Sequence, residues 1–188
     1  MAKIVVSQFI TLDGVVQDPG GSEEHGRGGW AFKYDRGPDG DKFKLDELMA
    51  SDALLLGRTT YEGFAAAWPS REGEFADKFN NMTKYVVSST LTDPEWNNSH
   101  VIAPGDLVAE VSKLREQPGG DILVNGSVQV ARALLEAGQV DELRLMVFPT
   151  VLGGGLKLFG DTGQPIALEL AESRPAGETQ ILIYKPKA

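Results

Sequence analysis

The chain has 188 residues, 41% of them hydrophobic and 24% charged, with a formal charge of -9 and no cysteine. That length suffices for one domain over residues 1–188 with a core that needs no staples. The acidic balance excludes a general nucleic-acid backbone binder, which needs a basic surface, and the lack of cysteine excludes disulfide and thiolate chemistry.

Met1-Ala-Lys-Ile-Val-Val-Ser-Gln carries one lysine and too short an apolar run for a signal peptide, and no window approaches a membrane span. The expectation is a cytoplasmic protein with no membrane and no nucleic-acid partner. His25 and His100 lie far apart without ligand spacing, so no metal site is expected.

Lys3 to Ile10 reads as a first strand, followed by the Asp13-Gly14 turn signal and a brief Val15-Val16 resumption. From Gln17 to Gly40 the composition turns to Gly, Pro, Asp and Glu, with Trp30, Phe32 and Tyr34 interspersed. Such a long loop serves either as a lid over something apolar or as a segment its aromatics anchor to the core. Asp39-Gly-Asp41 introduces a helix through about Ala50, with Leu45, Leu48 and Met49 on one face. Asp41 shares that stripe, either as the N-cap or as a carboxylate aimed into a cleft.

Asp52-Ala-Leu-Leu-Leu-Gly-Arg-Thr-Thr-Tyr-Glu62 reads as a buried strand entering a helix. Gly57 permits a tight turn, and Arg58, Thr59 and Thr60 fall on a helical first turn with unpaired N–H groups and a partial positive charge. This is either an anion site that an arginine adapts to phosphate, or an ordinary turn with a solvated arginine. Trp68-Pro69 ends that helix; Glu72 to Asn80 forms another, and Lys84 to Ser89 a strand. A short strand at Ser99 to Ile102 precedes a helix from Asp106 to Glu116. Asp121-Ile-Leu-Val-Asn-Gly-Ser127 repeats the strand–glycine–helix theme, and Gly138 closes the helix from Val128. Two such units in one sheet place two positive helix ends on the carboxyl edge, where open α/β sheets bind ligands.

Leu143 to Phe148 then alternates, and runs near Ile166 to Ser173 and Thr179 to Lys185 flank Pro175-Ala-Gly177 as an antiparallel hairpin. Gly153 to Gly155 lets backbone pass close to a ligand or a neighbouring subunit. Gly155 to Gly160 has P-loop spacing, but Asp161 stands where the lysine belongs. No Gly-x-Gly-x-x-Gly follows the first strand, and no Gly-x-Ser-x-Gly elbow supports triad chemistry.

Thr11-Leu-Asp-Gly14, Leu55-Leu-Gly-Arg-Thr-Thr-Tyr-Glu62, Tyr85-Val-Val-Ser-Ser89, Gly120-Asp-Ile-Leu-Val-Asn-Gly-Ser127 and Val151-Leu-Gly-Gly-Gly155 together resemble the dihydrofolate reductase-like superfamily. Within it the chain most resembles the C-terminal reductase domain of the bifunctional riboflavin-biosynthesis deaminase/reductase and the small stand-alone proteins of that branch. The resemblance implies an α/β fold: a mixed, mostly parallel eight-stranded sheet with helices on both faces and an antiparallel C-terminal hairpin. It implies NADPH as hydride donor. Gly57, Arg58, Thr59 and Thr60 correspond to the turn holding the adenosine-side phosphates, and Ser88 and Ser89 to the strand end beside the adenosine. Gly126, Ser127, Val128 and Gln129 correspond to the turn under the pyrophosphate, and Leu12, Asp13 and Gly14 to the mobile loop near the nicotinamide. Asp41 falls at the place of the acid that orients and protonates a pterin in folate reductases.

The function expected is an NADPH-dependent reductase of a small heterocyclic or carbonyl/imine substrate, pterin-like or ribosylaminopyrimidine-like. The alternative is a nucleotide- or small-ligand-binding module without turnover. Self-association as a homodimer through the terminal hairpin and residues 148–160 is a third expectation.

Overall fold

A computed structural model describes residues 1–22, 26–160 and 164–187. His25 and Asp161, weighed above, lie outside the described residues. Six strands run parallel: β1 (Ile4–Thr11), β2 (Ser51–Gly57), β3 (Thr83–Val87), β4 (Ser99–Ile102), β5 (Asp121–Asn125) and β6 (Glu142–Phe148). β7 (Leu168–Ala176) and β8 (Thr179–Pro186) form the antiparallel hairpin. The sheet order is β4-β3-β2-β5-β1-β6-β8-β7, so β8 lies beside β6 and β7 is the outer edge. This is the eight-stranded, mostly parallel sheet that the sequence leads one to expect. Pro175 lies in the edge strand, where a missing ladder donor is tolerated.

The central strands are apolar on both faces because helices cover both. Val5, Leu54, Leu56 and Leu123 pack beneath α1 (Gly37–Met49), α2 (Arg58–Ala67) and α3 (Glu74–Asn81), through Leu48, Tyr61 and Phe79. Ile4, Val6, Leu55 and Val124 face the other way, against Val111 of α4 (Leu107–Glu116) and Leu134 of α5 (Val128–Glu136). Each fully buried leucine here is worth roughly 1.5–3 kcal/mol relative to exposure. α5 ends as its sequence suggests: the Gly138 N–H donates to Leu135 O at 3.1 Å and the Gln139 N–H to Leu134 O at 2.9 Å, a Schellman closure.

The long loop divides into two roles. Trp30 is buried, its indole N–H donates to Gln17 O at 2.9 Å, and its ring meets Phe148 edge-on at 5.3 Å. Phe32 instead faces solvent. Trp30 is therefore an anchor and Phe32 is not.

α1 starts at Gly37 rather than at Asp41, with Pro38 in its first turn. Its entry is seated by the tip of the β7–β8 hairpin. The Asp35 N–H donates to Glu178 Oε2 at 2.7 Å, and the Glu178 N–H donates to Asp35 O at 2.6 Å. Gly177, at φ +56, approaches so closely that a Cβ would lie 2.3 Å from Asp35 O. A hairpin near the end of the chain thus holds the backbone that leads into α1.

Candidate functional site

β2 and β5 are neighbours, and each enters a helix at its carboxyl end, through Gly57 and through Gly126-Ser127. The two turns hold each other. The Gly57 N–H donates to Ser127 Oγ at 2.9 Å, and the Ser127 N–H donates to Thr60 Oγ1 at 3.0 Å. Ser127 sits at the N-cap, where a serine oxygen ordinarily accepts from its own helix. Its hydroxyl instead serves the neighbouring turn and donates to Asn125 O, so α5 begins without a side-chain cap, as does α2. Gly126, at φ +60, allows this approach: a Cβ would press on Thr60 Cγ2 at 3.2 Å. Gln8 Nε2 donates to Gly126 O and ties the turn to β1.

Arg58 stands at the outer corner. Its Nε donates to Glu62 at 2.7 Å and one terminal nitrogen donates to Thr90 Oγ1 at 2.5 Å. Arg58 and Glu62 are each about half exposed, at 49% and 51%. An exposed i,i+4 pair is worth only about 0.3–0.5 kcal/mol, so Glu62 holds Arg58 weakly. Thr59, Ser89 and Gln129 are exposed on the same rim, whereas Val128 is buried.

Ser88 follows the end of β3. It is buried, and its Oγ accepts the backbone N–H groups of Thr90 and Leu91 at 3.1 and 3.0 Å. That turn uses up the hydroxyl and presents Thr90 in its stead. Ser127 is likewise buried and engaged in joining the two turns.

Leu12, Asp13 and Gly14 do not form a free loop. The Leu12 N–H donates to Thr150 O, the Leu158 N–H donates to Gly14 O, and the Asp13 carboxylate accepts from Thr11 Oγ1 at 2.6 Å, Gly153 N–H at 2.8 Å and Leu152 N–H at 3.2 Å. The Thr11 hydroxyl first, then these backbone donors, outweigh partial desolvation and hold the Asp13 carboxyl at about 2. The segment is pinned to the Gly153–Gly155 turn. Among the described residues, Leu12 and Val151 remain exposed beside it.

Asp41 is the main correction. With α1 starting at Gly37, Asp41 lies within the helix rather than at its cap, and its side chain is 66% exposed and paired with Arg36 Nε at 2.5 Å. Gly40, Phe43, Glu47 and Leu48 point inward instead. The buried acid of this helix is Glu47. Its Oε1 accepts from Ser7 Oγ at 2.9 Å and makes a short contact with Lys44 Nζ. Its Oε2 makes no hydrogen bond and faces Arg144 at 3.7 Å. Ser7, Asn125 and Arg144 are paired in register across β5, β1 and β6, so they form one row beneath α1. Lys44 Nζ reaches that row at 3.0 Å from Ser7 Oγ and 3.5 Å from Asn125 Oδ1, and lies 5.2 Å from the centre of the Phe9 ring.

Arg144 gathers the surrounding carboxylates, contacting Glu142 at 2.6 Å and Asp121 at 4.0 Å. Burial pushes Glu142 up, but the guanidinium of Arg144 and the ammonium of Lys3 outweigh it and hold the carboxyl below its usual range. Burial raises Asp121, and Arg144 offsets only part of that. Neither Glu47 nor Lys44 stood out in the sequence. The available signal was the Lys44–Glu47 spacing on one face of a helix, legible only once its phase is known.

Residues 2–182 match the family model of the RibD C-terminal domain. The chain belongs to that family. Among curated relatives, uncharacterized protein YyaP of Bacillus subtilis is 29% identical, covering 97% of this chain and 94% of YyaP. Uncharacterized protein YwjB of the same organism is 25% identical, covering 97% of each chain. A solved putative riboflavin biosynthesis protein from Shewanella sp. PV-4 superposes with a TM-score of 0.76 at 19% identity, covering both chains fully. A dihydrofolate reductase from Enterococcus faecalis, complexed with NADP(H), superposes with a TM-score of 0.61 at 17% identity over 99% of this chain and 97% of the other. The bifunctional deaminase/reductase from Thermotoga maritima gives a TM-score of 0.63 at 17% identity, and this chain spans 57% of it. At these identities the likeness is one of fold. This member of the RibD C-terminal domain family is a reductase-fold protein, and no helix among its described residues is long and apolar enough to cross a membrane.

Proposed function

We propose that the chain is an NADPH-dependent reductase of a small heterocyclic or carbonyl/imine substrate. The observation that carries this reading is the pair of uncapped helix starts at adjacent strand ends, joined through Ser127 and Thr60, with Arg58 at their corner. First-turn N–H groups and a half-exposed guanidinium suit the phosphates of a dinucleotide. The residues therefore fit the cofactor: α2 and α5 for the pyrophosphate, and Arg58, Thr59, Ser89 and Thr90 for an adenosine-side phosphate. When bound, the reduced nicotinamide supplies a hydride. The chain's own part is positioning and charge stabilisation, which provide most of the acceleration in such a site.

Titration of NADPH and NADH against wild type and Arg58→Ala tests this. One charge-assisted contact is worth roughly 1.5–3 kcal/mol, so NADPH affinity falls about 10–150-fold in the variant. NADH, lacking the extra phosphate, loses much less. Unchanged NADPH affinity removes Arg58 from the site, and absence of binding in wild type ends the reading. Binding without NADPH oxidation across pterin, ribosylaminopyrimidine and quinone acceptors would identify a binding module. Homodimerisation is a separate proposal, resting on the outer strand β7 with Leu170 55% exposed. A monomer by sedimentation at micromolar concentration would remove it.

A further inference from the structure

We infer that Lys44 is the proton donor to the hydride acceptor and that Glu47 is its positioning residue, an inference resting on the reductase reading above. The ammonium has three donors. Glu47 Oε1 and Ser7 Oγ take two of them, and Asn125 Oδ1 lies at the limit of the third, at 3.5 Å. The third, the longest of the set, is the N–H that a ligand takes over from Asn125. The side chain is 12% exposed, while that of Glu47 beneath it is 1% exposed. Lys44 thus stands where the polar row ends and the aromatic patch of Phe9, Phe148 and Tyr34 begins. Glu47 Oε2 is a buried carboxylate oxygen without a hydrogen bond, an arrangement costly unless the site is completed by a bound group or water.

The charges indicate the class of acceptor. Lys44 is matched by Glu47, Arg144 by Glu142, and Arg36 at the mouth by Asp41. No net positive charge is left for a phosphate at this end. The arrangement suits a neutral planar heterocycle carrying a C=N or C=O bond, its heteroatom on Lys44 and its ring against the aromatic patch, where Arg36 now lies 5.6 Å from the centre of the Phe9 ring. The balance is simple. The acceptor carbon gains the hydride supplied by NADPH, the π pair moves to the neighbouring heteroatom, and that atom takes a proton from Lys44 Nζ. The C=N or C=O bond is reduced and NADPH is oxidised to NADP+. The lysine recovers its proton from water as the product leaves.

The test uses 7,8-dihydropterin, a neutral heterocycle with a C=N bond, on the full chain. Its binding is measured by calorimetry without cofactor, and its turnover separately with NADPH. Lys44→Met is expected to weaken cofactor-free binding at least tenfold while NADPH affinity stays within twofold. Lys44→Arg keeps charge and hydrogen bonds but cannot release a proton, so it retains binding within threefold and loses turnover at least 100-fold. Glu47→Gln lowers kcat more than it raises KM, the split expected of a residue that aims the donor. Wild-type turnover in Lys44→Arg, wild-type binding in Lys44→Met, or no dihydropterin binding by a wild type that binds NADPH overturns the inference and leaves the reductase reading standing. Dihydropterin binding through Lys44 in a chain that does not bind NADPH overturns the reductase reading, and the proton step with it.

Discussion

The glycine-turn rim and the polar row under α1 are built in opposite ways. At the rim, backbone does the work: Gly57, Gly126 and the first turns of α2 and α5 present N–H groups whose directions follow from the strand–turn–helix path. Under α1, side chains do it: Lys44 and Glu47 descend from a helix onto Ser7, Asn125 and Arg144 on three adjacent strands. A backbone site survives most side-chain changes but needs particular dihedral angles. A buried ionic site tolerates none of its members being removed alone, because each leaves a partner uncompensated.

The largest effect that separates the two comes from Glu47→Ala. It strands the ammonium of Lys44, 12% exposed, and weakens the surroundings of Arg144. Removing one partner of a buried pair costs about 3–5 kcal/mol. Urea unfolding should show that loss in the midpoint. A loss below about 1 kcal/mol would mean that water already reaches the row.

A second lysine sharpens the contrast. Lys84 is fully buried, but its ammonium donates to two backbone carbonyls, Asn80 O at 2.5 Å and Asn97 O at 2.9 Å, and lies 4.2 Å from the Trp96 ring centre. No ion pair to it is found among the described residues. Burial lowers its pKa from 10.5 to about 8. The unfolded chain then binds more protons than the folded one between those values, so stability rises with pH across that window. The contribution is fully present above pH 10.5 and lost as pH falls through about 8, with an amplitude of up to about 3 kcal/mol. The difference in unfolding free energy between wild type and Lys84→Met, followed from pH 7 to 10.5, isolates it. A flat difference would show that the carbonyls and Trp96 solvate the cation as well as water does.

The rim is broken by dihedral angle instead. Gly126→Ala forces a side chain into the left-handed region and against Thr60 Cγ2 at 3.2 Å. The strain is about 1–2 kcal/mol. Dinucleotide binding should fall further than stability, because the two turns separate. Equal losses would mean that the turns move as one. This region was legible beforehand for a physical reason. A short apolar run, a glycine and a hydroxyl residue specify a strand, a turn and a helix start locally, so the adjacency of residues 57–60 and 126–129 followed from two copies of one pattern. The part Ser88 plays in its own turn is not legible, because a hydroxyl's partner, here the N–H groups of Thr90 and Leu91, is not written in its type. Asp41 was misjudged for a longer-range reason. The backbone that leads into α1 is held by Gly177 and Glu178 in the last hairpin, and no window around residue 41 contains them.

The smallest effect concerns Asp13, which joins the two modes of construction. Its carboxylate rests on the backbone N–H groups of Leu152 and Gly153 and on the Thr11 hydroxyl, so an internal side chain occupies a backbone anion site. Its pKa is lowered from 3.8 to about 2, with the Thr11 hydrogen bond the largest cause. A depressed carboxyl contributes stability that is present above pH 3.8 and lost as pH falls through about 2. Asp13→Asn should therefore lower stability slightly at pH 7 and bring acid unfolding to a slightly higher pH, with wild type and variant converging below about pH 2. Hydrogen exchange at Leu152 and Gly153 should quicken in the variant at pH 7, because the amide that replaces the carboxylate is a weaker acceptor. Unchanged exchange there would mean that the backbone bonds from Leu12 and Leu158 hold the segment on their own, leaving Asp13 free for another partner.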